Sequence, residues 1–121
     1  MGVQKGPPPA SVGGATLLFG SAEEAWFWYV RCQKARADGA RFMKSANQII
    51  RPCDPDDVYR VVIGLARRRS LTRGHLKVLN TYGNFERPPD PRCREEALPF
   101  RLWDEALGRM ELVLRAKEII E

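Results

Sequence analysis

The chain has one histidine, His75, three scattered cysteines and no long apolar run, and each scarcity closes off a class of function. With a single histidine, Ser-His-Asp or Cys-His catalysis has only one base to use. Helical projection puts His75 beside Leu79 and Tyr82 on an inward arc, where a histidine hydrogen-bonded to a neighbour is the ordinary outcome. Cys32, Cys53 and Cys93 are odd in number and far apart, which suits free thiols in a reducing compartment better than a disulfide framework. Added to His75 they make four zinc-type ligands, yet none of the short paired spacings of structural zinc modules is present. Asp54, Asp56 and Asp57 lack the glycine and bidentate glutamate of a calcium loop, and no glycine loop of the P-loop or dinucleotide type occurs. The apolar run from Ala15 to Phe19 is too brief for a signal-peptide core or a membrane span. The expectation is a cytoplasmic, non-enzymatic protein with no metal, cofactor, small-molecule substrate or membrane partner.

What the sequence does have is an uneven charge. The 121 residues carry a net charge of +5, and one domain of this length can build a core without staples. Residues 1–40 contain four bases and three acids, residues 41–94 twelve and five, and residues 95–121 four and seven. The basic middle favours a polyanionic partner, with a solvated face as the plain alternative.

Met1 to Gly20, with Pro7-Pro-Pro9 and five glycines, reads as a flexible tail, and 21–121 as one helical domain. Four principal helices are expected, an all-α fold. Ser21-Ala-Glu-Glu24 is a capping box opening a helix to about Ala37, where Asp38-Gly39 stops it. Its four consecutive aromatics, Trp26 to Tyr29, cannot share one face at 100° per residue, so this helix must be covered on more than one side. The period of the stretch from Gly39 to Pro52 does not decide its structure. Asp54 with Pro55 opens a second helix to about Arg69, whose buried stripe is Val58, Val61, Val62 and Leu65. Thr72 caps a third, stapled by Leu71 and Leu76, with Gly83 placed to end it in a left-handed turn. Its inward arc is Leu76, Leu79 and Tyr82, and its outward face Arg73, Gly74, Lys77 and Thr81, with Asn80 at the margin. After a loop holding Pro88-Pro-Asp-Pro91, a long amphipathic helix is predicted from Pro99 to Ile119. Trp103, Ala106, Met110, Val113 and Lys117 form its stripe, and Glu105–Arg109 and Glu111–Arg115 its ion pairs.

Two functional readings follow. In the first, Arg67, Arg68, Arg69, Arg73 and Lys77 surround the turn between the second and third helices, and the third helix's N-terminus at Arg73 and Gly74 adds donors suited to a phosphate. Arg69-Ser-Leu-Thr-Arg-Gly-His-Leu-Lys-Val-Leu79 resembles the turn and recognition helix of the helix-turn-helix superfamily, although the turn lacks that family's common glycine. With the preceding helix, the likeness covers roughly a quarter of the chain. It implies a regulator that contacts duplex DNA, with Arg73, Lys77 and Asn80 toward base edges and Thr81 on the same face. In overall style the chain is similar to small bacterial proteins, which implies no activity. The second reading is a protein-interaction adaptor or small regulatory subunit docking through Trp26, Phe27, Trp28 and the off-stripe Leu112, with a protein partner or second copy as its ligand.

Overall fold

A computed structural model describes residues 16–39 and 50–121; residues 1–15 of the expected tail and the stretch 40–49 lie outside the described residues. The described residues form α1 (Ala22–Ala37), α2 (Pro55–Arg67), α3 (Arg73–Phe85) and α4 (Ala97–Ala116), with a 3-10 turn, Arg94–Glu96, ahead of α4. This is the expected all-α architecture.

Helix α1 is the axle. Ser21 Oγ accepts the Glu24 N–H at 3.1 Å, while Glu24 Oε1 reaches one residue further back than a full capping box requires and accepts the Gly20 N–H at 2.6 Å. The helix stops at Asp38, followed by Gly39 with φ 75°, a left-handed value that glycine adopts without steric cost. Its four aromatics point to four neighbours. Trp26 Nε1 donates to the Leu79 carbonyl of α3 at 3.0 Å, the Phe27 ring lies 5.5 Å from Trp103 of α4, Trp28 lies 5.0 Å from Phe19, and Tyr29 stacks on Tyr59 of α2 at 5.6 Å. The expected cover on several sides is therefore present, and it comes from within the chain. Of the residues expected to bind a partner, Trp26 is buried, and Phe27 and Trp28 are half-buried with these intrachain contacts.

Helix α2 buries Val58, Val61, Val62 and Leu65, as the stripe predicts, and Asp57 Oδ2 accepts the Asp54 N–H at 3.0 Å to close its first turn. It ends at Arg67, two residues early, because Arg69 takes a left-handed φ of 63°. The Ser70 N–H bonds the Leu65 carbonyl at 2.8 Å and the Arg69 N–H the Ala66 carbonyl at 3.0 Å, a Schellman stop without glycine. In α3, Thr72 Oγ1 accepts the His75 N–H and His75 Nδ1 accepts the Thr72 N–H at 3.0 Å, so a histidine fills the place usually held by glutamate in a capping box. Gly83 does not end this helix. A Cβ there would sit 3.0 Å from both Trp26 Nε1 and Val30 Cγ2, so at Gly83 α3 presses close on α1, and the left-handed cap falls three residues later on Glu86 (φ 58°).

Helices α1 and α4 pack on each other, and each packs on both α2 and α3, whereas no Cα of α2 comes within 8 Å of one in α3. The two outer helices thus sit across the long diagonal of the bundle. The connection between them, Arg68–Thr72, spans five residues.

Helix α4 buries Trp103, Ala106, Met110 and Leu114, so the stripe drifts to Leu114 and leaves Val113 half-buried and Lys117 exposed. It begins before Pro99, which stands at the third helical position. That is harmless, because an N–H there has no intrahelical acceptor to lose. The proline loop is latched to its start. Arg87 donates to both oxygens of Glu96 at 3.0 and 2.9 Å, Glu96 also accepts the Asp90 N–H at 2.7 Å, and Pro89 is fully buried. The Arg87 guanidinium and the Asp90 amide together hold the Glu96 carboxyl down to about 2.

The domain also starts earlier than Ser21, which corrects the boundary expected at residue 20. Phe19 is 0% exposed in the core; its N–H bonds the Ile119 carbonyl at 3.0 Å and its carbonyl accepts the Glu121 N–H at 2.9 Å. Isolated parallel bridges join Phe19 to Ile120 and Thr16 to Ile50.

Candidate nucleic-acid interface

The connection from α2 to α3 is fastened from below by α4. Ser70 offers its carbonyl to Arg109 Nη1 at 2.9 Å, and His75, only 4% exposed, lies beside it. Because the Thr72 N–H donates to Nδ1, the proton of the neutral ring sits on Nε2, which donates to Glu105 Oε1 at 2.9 Å. This hydrogen bond, helped by the nearby Arg109 charge, holds the Glu105 carboxyl below its usual range. Glu105 and Arg109 are thus both committed to the α2–α3 side, and the expected pair between them does not form; Glu111–Arg115 does. The inward position of His75 follows the projection, but its capping role was missed. The readable signal was Thr72 with a side-chain acceptor three residues on.

The cations lie within and to either side of this connection along the chain. Arg67, Arg68, Arg69, Arg73 and Lys77 are all exposed. Among the described residues none of them reaches a carboxylate, whereas Lys34, Arg36, Arg51, Arg60, Arg87, Arg92 and Arg115 each do. The sequence between Arg67 and Lys77 holds no acid at all, so this is a stretch of five positive charges with no local neutralisation. The start of α3 adds the positive end of its dipole.

The other residues grouped with them part company. Gly74 is backed by α4, since a Cβ there would meet Leu102 Cδ1 at 3.7 Å, and Thr81 is half-buried. Asn80 is exposed but borders a groove of about 530 Å³ that is floored by Trp26 and Tyr29 of α1 and walled by Tyr59 and Ile63 of α2 and Leu76 of α3. Of the four residues proposed for partner contact, Leu112 alone stands outward, 71% exposed.

Cys32 lies in α1, Cys53 before α2, His75 in α3 and Cys93 before the 3-10 turn, and among the described residues no three metal-ligating side chains come together. Burial raises the Cys53 thiol to about 11, with Asp57 and Asp54 adding to the shift, so it stays protonated at neutral pH. Among the described residues no helix is long and apolar enough to cross a membrane. Comparison with protein-family models, curated proteins and solved structures gives no match.

Proposed function

We propose that the protein binds duplex DNA, contacting backbone phosphates through Arg67, Arg68, Arg69, Arg73 and Lys77. The observation that carries the reading is their shared state: five exposed cations within eleven residues, without a carboxylate partner among the described residues, on a connection pinned by His75 and Arg109. Phosphate contacts give affinity and orientation without sequence information. In a regulator of the helix-turn-helix type, Arg73, Lys77 and Asn80 would read base edges. Helices α2 and α3 have no Cα pair within 8 Å and Asn80 borders the groove between them, which favours backbone contact over that reading. Neutralising three to five phosphates gives a slope of log K against log salt of about −3 to −4.5, measurable by anisotropy on a random duplex. No binding at about 50 mM salt overturns the proposal. Protein docking then becomes the better reading, because the groove over α1 exposes Tyr59 and a wall of apolar side chains.

A further inference from the structure

A second concavity, of about 420 Å³, opens between α2 and the C-terminal end of α4, on residues that the DNA reading mostly does not use. Val61, Val113 and Ile119 give it an apolar interior, and Cys53 adds a thiol. Arg60, Arg68 and Lys117 line it as well, against a single acid, Asp57, which pairs with Arg60 at 2.8 Å. Arg68 and Lys117 have no carboxylate partner among the described residues, so the lining carries two uncompensated positive charges beside apolar surface.

The backbone supplies an independent argument. Gly64 stands inside α2, where glycine weakens a helix relative to alanine. Packing does not demand it: a Cβ at Gly64 would meet nothing nearer than Arg68 Nη1, at 3.9 Å. That contrasts with Gly83, which close packing requires. Gly64 lines this concavity, and the absence of a side chain there keeps its wall low. Gly108 in α4 likewise faces open space but lines no cleft among those described, which makes it a control.

We infer that this cleft binds a small organic anion, its charged head on Arg68 and Lys117 and its apolar body against Val61, Val113 and Ile119. The site does not depend on DNA binding, and only Arg68 belongs to both surfaces. The probe is 8-anilinonaphthalene-1-sulfonate, followed by fluorescence with the full chain and competed with octanoate or inorganic phosphate. One saturable site is expected, displaced by octanoate at far lower concentration than by phosphate. Lys117→Ala should weaken probe binding about tenfold, the loss of one charge-assisted contact. Gly64→Leu should abolish it, while Gly108→Ala and Arg73→Ala leave it unchanged. Circular dichroism establishes whether Gly64→Leu is folded; if it is not, Lys117→Ala decides alone. Probe binding that is absent, or that is unaltered by Lys117→Ala, overturns the proposal, as does displacement by phosphate as effective as that by octanoate.

Discussion

The aromatic run of α1 and the cationic run from Arg67 to Lys77 are two clusters of one chemistry, and the fold treats them oppositely. Every ring from Trp26 to Tyr29 finds an intramolecular neighbour on a different element. None of the five cations finds a carboxylate among the described residues, although seven others do. A cluster signals function when the rest of the molecule leaves it unanswered. By that measure the aromatics answer to the fold, and the cations are the cluster on which the DNA-binding proposal rests.

The contrast breaks most visibly at Trp26. Trp26→Ala removes a buried ring and its bond to the Leu79 carbonyl, so unfolding in urea should show a loss of about 3–5 kcal/mol. A loss below about 1 kcal/mol would mean that the other helices do not pack around α1. Next comes Gly83→Ala, where the added methyl must displace Trp26 or Val30; such overpacking costs about 1–3 kcal/mol, and a more stable variant would contradict the close approach of α3 to α1.

On the cationic side, Arg73→Ala with Lys77→Ala should leave stability within about 0.5 kcal/mol, because both side chains are exposed. The same pair should make the salt slope of DNA binding shallower by about 1.8, two phosphate contacts' worth. An unchanged slope removes these residues from the interface. The smallest effect is one of pH. Glu96 has its carboxyl held at about 2 in the folded chain against an ordinary 4.5, so its contribution to stability is complete above pH 4.5 and disappears as pH falls through about 2. Glu96→Gln should flatten the acid limb of the stability curve in that window, and an unaltered limb would show that the latch to Arg87 does not form in solution.

The local features were legible because their causes are local. Helix starts at Ser21, Asp54 and Thr72 depend on a few neighbouring side chains, and the Val58 to Leu65 stripe follows from helical period alone. What was illegible depends on distant parts of the chain. Gly83 looked like a terminator, since nothing in the sequence indicates that Trp26 and Val30 press against it. Glu105 looked committed to Arg109 until α3 brought His75 within reach. The Arg69 turn hid for a different reason: a left-handed arginine breaks the glycine rule by which such stops are found. For the candidate interface, charge and exposure could be read directly, whereas the separation of α2 from α3 could not, because it is set by how both lean on α1 and α4.

The pairing of Phe19 with Ile120 joins positions 101 residues apart. Closing a loop of that length costs about 4 kcal/mol in chain entropy beyond a constant. That cost falls only after α1 and α4 have docked and carried the two segments together. Phe19 should therefore pair late in folding, once α1 and α4 are docked, and open early. Its amide and that of Glu121 should exchange with solvent through a partial opening while the helices around Trp26 remain protected.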